Sequence, residues 1–140
     1  MELTTTNIRA YVAAYKNKLP FLFNNILNAQ EITEETYVNW IFKIVFATSD
    51  GEKVVYLRQS RDFVKTKPEF KLPAKRIKFE KRMLTLVGTI VTDVVPEVLY
   101  FDKENNVLWL SDIKRGCPLL VTELIAGRPH VETAEFFGKT

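Results

Sequence analysis

The stretch from Val54 to Val87 constrains the fold most, because it sets one cation and one carboxylate where apolar groups are the rule. In Lys53-Val54-Val55-Tyr56-Leu57-Arg58-Gln59, a β-branched and aromatic run follows the turn Ser49-Asp50-Gly51-Glu52. It reads as a strand with Val54, Tyr56 and Arg58 on one face. Further on, Ile77, Phe79, Met83, Leu84, Leu86 and Val87 span roughly half of a helix surface at about 100° per residue, and Glu80 lies inside that arc. A carboxylate there faces the core, where burial without a partner costs several kcal/mol. Glu80 is therefore expected to pair with a cation, either Arg58 across the layer or Arg76 one turn back.

The remaining segments supply what a strand and helix of this kind need as partners. Asn7 is placed to cap a first helix over 7–18, with Ile8, Tyr11, Val12 and Tyr15 as its apolar stripe and Leu19-Pro20 as its end. A short strand is expected within 26–32. A stronger one, Trp40 to Phe46, forms a hairpin through Asp50-Gly51 with the strand ending at Gln59. Lys65 to Pro73 reads as an exposed connection into a helix over 74–88, with Gly88 as the stop. After Pro96, Val98 to Phe101 and Val107 to Leu110 form a second hairpin across Asp102-Lys103-Glu104-Asn105-Asn106. That loop is read as a turn, because a calcium loop needs more oxygen ligands at regular spacing. Lys114 to Pro118 reads as a linker, Leu119 to Ile125 as a short apolar helix or strand, and Thr133 to Gly138 as the start of another helix. The sum is an α+β domain, an antiparallel sheet of about five strands with one packed helix, over 1–113 (N-terminal helix 7–18, sheet and helix 26–113). Residues 114–140 are a linker and the start of a second lobe or a dimerisation segment.

Charge is unevenly spread. Residues 58–82 carry a net +7 and the rest of the chain −4, within a total of +3. Such a patch suits phosphate, on a nucleotide or a nucleic acid, although a solvated helix face has the same composition. One cysteine, Cys117, excludes an intrachain disulfide, and with one histidine, His130, no Cys/His metal cluster is available. Both are read as passive, His130 in a loop and Cys117 as a thiol without a base. The absence of a long apolar run or of a signal-peptide pattern at Met1-Glu2-Leu3-Thr4 leads us to expect a cytoplasmic protein.

A strand cation paired with a carboxylate on the following helix is also how kinase-like phosphotransferases hold nucleotide phosphates. Several local runs match in order. Asn39-Trp40-Ile41-Phe42-Lys43-Ile44 is similar to the family's second strand, and Arg58-Gln59 to the Lys-Gln that ends the third. Arg76-Ile77-Lys78-Phe79-Glu80 is similar to the Arg-x-x-x-Glu of the regulatory helix, and Val95-Pro96-Glu97-Val98-Leu99-Tyr100-Phe101-Asp102 to a VPxV strand with its aspartate. Through these the chain resembles the N-terminal lobe of the aminoglycoside phosphotransferase and methylthioribose kinase-like families. The resemblance implies that Arg58 contacts α- and β-phosphates and that Glu80 holds Arg58. It further implies that backbone groups from Ser111 to Ile113 meet the adenine and that Thr36 and Asn39 belong to the phosphate loop.

The sequence also departs from that pattern. The loop over the phosphates, Glu31 to Tyr37, has no glycine and three glutamates, Glu31, Glu34 and Glu35. Tyr56 stands where a smaller residue is usual, and arginine replaces lysine at position 58. No His-x-Asp-x-x-x-x-Asn loop is present, so this chain alone is not expected to transfer phosphate, and ATP and Mg²⁺ enter only with a second lobe. Three functions remain open. The first is the nucleotide-binding lobe of a phosphotransferase acting on a sugar or aminoglycoside-like hydroxyl. The second is a free-standing lobe used for protein interaction or assembly, dimerising along Leu119 to Ile125 and Phe136-Phe137. The third is single-stranded nucleic-acid binding through the basic segment with Phe63 and Phe70, for which two phenylalanines are thin support.

Overall fold

The computed structural model describes residues 1–34, 36–91, 95–113 and 120–138. In chain order the elements are α1 (Ile8–Ala14), β1 (Asn25–Ile32), β2 (Trp40–Thr48), β3 (Gly51–Gln59), β4 (Phe63–Val64), β5 (Lys67–Lys71), α2 (Ile77–Ile90), β6 (Val98–Asp102), β7 (Val107–Ser111), α3 (Leu120–Ile125) and α4 (Val131–Gly138). Five strands make one antiparallel sheet in the order β1-β2-β3-β7-β6, and β4 and β5 form a separate two-stranded hairpin. The expected α+β architecture with a five-stranded antiparallel sheet is what forms.

The register of the central hairpin is set at its turn. Gly51 takes a φ of +110°, a conformation that side chains with a Cβ rarely adopt, and Thr48 Oγ1 donates to the Gly51 carbonyl at 2.8 Å. From Thr48 opposite Gly51, pairing runs without a slip to Trp40 opposite Gln59. Period-2 alternation then sorts the side chains onto two unlike faces. On one face Phe42, Ile44, Phe46, Val55, Leu57, Val107 and Trp109 are all buried, beneath Leu3, Ile8, Tyr11, Val12 and Phe23 of the N-terminal segment. Each such side chain contributes about 1.5–3 kcal/mol relative to exposure, so this face is the main core. On the other face α2 packs through Ile77 and Leu84 on Leu108, Leu110, Val98, Phe101 and Tyr56.

Several boundaries differ from those expected. The first helix is a shorter α-helix followed by a 3₁₀ turn over Lys16–Lys18, and Asn7 does not cap it. Asn7 itself has helical dihedrals, and its side chain reaches backward, accepting from Thr4 N at 2.8 Å and donating to Glu2 O at 2.9 Å. The second helix begins as a 3₁₀ turn over Ala74–Arg76 and continues past Gly88 to Ile90, so Gly88 does not stop it; extended backbone at Val91 does. The segment 65–73, expected as an exposed connection, carries β5, which pairs with β4 just before it. The wide apolar arc of α2 divides in two: Ile77 and Leu84 meet the sheet, while Phe79, Met83, Leu86 and Ile90 are exposed. The loop after β6 is a turn, as expected: Asp102 Oδ1 accepts from Glu104 N and Asn105 N, each at 3.1 Å, and Asn106 supplies the positive φ. The expected linker with Cys117, and Glu35, lie outside the described residues, as do the side chains of Phe136 and Phe137.

Candidate functional site

Alternation along β3 puts Arg58 on the α2 side of the sheet, opposite Ile41 of β2 and Leu108 of β7. Glu80 sits in the first turn of α2, where the helix dipole favours a carboxylate. Arg58 Nη1 and Glu80 Oε1 are 2.9 Å apart, and both side chains remain partly exposed. Of the two cations open to Glu80 from the sequence, the strand residue makes the pair. The Nε of Arg58 is buried without a hydrogen-bond partner, so the guanidinium has donor capacity beyond its carboxylate.

Arg76 is used elsewhere. Its Nη2 donates to Asn39 Oδ1 at 2.7 Å and its Nη1 to the Arg61 carbonyl at 2.7 Å, tying the start of β2 to the entry of α2. Burial lowers the Arg76 pKa, with Asp62 and Glu80 opposing, but an arginine stays charged. Arg61 is lowered in the same way by burial, against Glu2 and Glu31. Its guanidinium lies 3.8 Å over the Trp40 ring and pairs with Glu2 at 3.1 Å.

The loop residues Thr36 and Asn39 are buried and hydrogen-bonded within the protein. Thr36 Oγ1 donates to the Ile32 carbonyl at 3.0 Å and accepts from Lys65 Nζ at 3.0 Å, and Asn39 also accepts from Ser60 Oγ at 3.3 Å. Lys65 Nζ further reaches Glu31 Oε1 at 2.6 Å, and the backbone N–H groups of Lys65 and Thr66 donate to Val38 and Tyr37. The β4–β5 hairpin therefore fastens the acidic loop where glycines would otherwise give freedom. Ser111 is held to Glu97 by two hydrogen bonds, Ser111 N to Glu97 O at 2.9 Å and Glu97 N to Ser111 Oγ at 2.8 Å, while Ile113 is exposed.

Pairing in the sheet adds a residue that sequence reasoning passed over. Lys43 stands opposite Tyr56 and diagonal to Arg58, on the face that α2 leaves partly open. The signal was there, since alternation along Trp40–Thr48 sets Ile41, Lys43 and Val45 together, but the residue served only as part of a strand pattern. Ile41, Val45 and Val54 are half-buried around it, so two cations rise from an apolar floor. Such a floor accepts a flat apolar ring, and the cations accept an anion attached to it.

Other candidates thin out. Arg58, Arg61, Lys65 and Arg76 of the basic segment have internal partners, and Phe63 packs edge-on against Trp40 at 5.4 Å, leaving Phe70 exposed. His130 lies 3.5 Å from Glu123 of α3, which Arg128 also grips, so Arg128 and His130 tie the turn between α3 and α4 back to α3. Among the described residues, no His, Cys, Asp and Glu cluster suits a metal and no helix is long and apolar enough to cross a membrane. No family model matches this chain, and no curated protein matches it.

Proposed function

We propose that residues 1–113 form the nucleotide-binding lobe of an ATP-dependent small-molecule phosphotransferase, kinase-like in design. The observation that carries this is the Arg58–Glu80 pair, strand to helix at 2.9 Å, in a sheet of order β1-β2-β3-β7-β6 whose helix lies between β3 and β6 in sequence. A cation fixed by a carboxylate is pre-organised for phosphate, and Lys43 adds a second positive charge beside the apolar floor. Phosphates bind over Arg58 and Lys43, and the adenine lies toward Tyr56 and the backbone at 111–113. A second lobe brings the base and the carboxylates for Mg²⁺, and the acceptor is a hydroxyl of a sugar or aminoglycoside-like compound.

The test is a titration of the ¹⁵N-labelled chain with ATP, read by NMR. We expect resonance shifts at Lys43, Tyr56, Arg58 and 111–113, lost in Arg58→Met while the other resonances stay in place. Absence of shifts at millimolar ATP would overturn the proposal. So would shifts that tripolyphosphate reproduces in full, because the adenine would then contribute nothing.

A further inference from the structure

The outer face of α2 carries a stripe with no partner among the described residues. Phe79, Met83, Leu86 and Ile90 are 69%, 63%, 61% and 74% exposed and follow one another at spacings of four, three and four. That is the repeat of a helix seam, set on the side away from Arg58. An open depression of about 690 Å³ runs along it, lined by Phe79, Met83 and Leu86 together with Arg82. Isolated exposed apolar residues need no explanation, but four in register on one helix do.

We infer that this stripe is the contact surface for a second copy of the chain, paired antiparallel through α2. The spacing is the first ground. About a point between Leu84 and Thr85 the stripe is palindromic, so a two-fold axis there sets Phe79 against Ile90 of the second copy and Met83 against Leu86. An isologous contact requires that self-complementarity.

Charge is the second ground. Lys78, Lys81 and Arg82 occupy the N-terminal half of the helix, and Thr85, Gly88 and Thr89 the neutral C-terminal half. Antiparallel pairing lays each cationic half on a neutral half and opposes the helix dipoles, whereas parallel pairing would stack like charges. Area is the third. At on the order of 200 Å² for each large side chain, the stripe exposes roughly 500 Å² per copy. Two copies then bury roughly 1,000 Å², the lower bound of a specific interface. The dimer is thus expected to be weak and reversible. This inference does not depend on nucleotide binding, and its face is separate from the dimerisation segment expected from the C-terminal sequence.

The test is sedimentation equilibrium of the full chain across a concentration series, beside the double variant Met83→Glu/Leu86→Glu. We expect the wild-type mass to rise from 16.2 kDa toward twice that value and the variant to stay at the monomer mass with unchanged circular dichroism. A wild type that stays monomeric at high micromolar concentration would overturn the inference, as would a dimer that survives both substitutions. In a Cys117→Ser background, mixing Phe79→Cys protein with Ile90→Cys protein should give a cross-link between the two under oxidation. Cross-links only between Phe79→Cys copies would refute the antiparallel arrangement. A monomer whose stripe instead binds anionic vesicles would assign the face to a lipid surface and likewise overturn it.

Discussion

Replacing Asp102 by asparagine removes a charge and almost no volume, at a side chain that is 3% exposed. Four donors converge on that carboxylate. Tyr11 Oη at 2.8 Å and Asn105 Nδ2 at 2.7 Å reach Oδ2, and the backbone N–H groups of Glu104 and Asn105 reach Oδ1. An asparagine keeps its oxygen for the two N–H groups, and the Tyr11 hydroxyl can turn to accept from the new amide. The Asn105 amide then faces another donor. One charge-assisted hydrogen bond is lost and the others weaken, which costs about 3 kcal/mol. For a domain of this length that corresponds to a drop of about 10 °C in Tm.

The loss is also pH-dependent. Burial by itself would raise the Asp102 pKa, but the hydrogen bonds from Asn105 and Tyr11, with the nearby Tyr15 hydroxyl, outweigh it and hold the carboxyl below its ordinary value. A depressed folded-state pKa stabilises above the unfolded value, about 4, and that contribution disappears as pH falls through the folded value. Urea denaturation of both proteins, followed by the fluorescence of buried Trp109 together with Trp40, should show the full gap at neutral pH and a shrinking gap in acid. A neutral-pH gap under about 0.5 kcal/mol would refute this account of the hydrogen bonds. A gap unchanged in acid would show that the charge is not its source.

Glu80→Gln should lower stability by less than about 1 kcal/mol in the same urea assay, because both members of the Arg58 pair reach water. A larger loss would make the pair chiefly a clamp between strand and helix. Lys65→Met strands the Glu31 carboxylate and frees the Thr36 hydroxyl, at about 1–2 kcal/mol, and hydrogen exchange should accelerate at the amides of Lys65 and Thr66. At high pH, Tyr11 is raised chiefly by burial and Tyr15 is pushed up to about 12, chiefly by its contact with Asp102. Raised tyrosine values stabilise below about pH 10 and fail as pH climbs through the folded values, so tyrosinate absorbance should appear together with loss of near-ultraviolet circular dichroism.

The hairpin β2–β3 and the second hairpin were legible because each follows from local periodicity, and so was the need of Glu80 for a cation; the choice of Arg58 over Arg76 was not, because it depends on how α2 sits on the sheet. The β4–β5 hairpin was not. Its first strand is only Phe63–Val64, and its second is exposed, mostly charged and contains Pro68, so nothing in its pattern reports the pairing; its backbone bonds to the 37–38 loop hold it. The α2 arc was legible as apolar, but periodicity gives only its width, and the sheet beneath covers only part of it. Asn39 looked like a loop residue because its partner, Arg76, lies 37 positions away.

The N-terminal segment bears on the order of folding. The Met1 amino group donates to Asn105, Gln59 donates to the Met1 carbonyl and accepts from Leu3 N, and Tyr11 reaches Asp102. These contacts span 56 to 104 residues. A chain growing from the ribosome therefore releases the α1 segment long before the turn that receives it exists, and closure of such long loops is slow. Until Asp102 and Trp109 emerge, the large apolar face of the β2–β3 hairpin stands uncovered on one side, and this interval is when aggregation competes most strongly with folding.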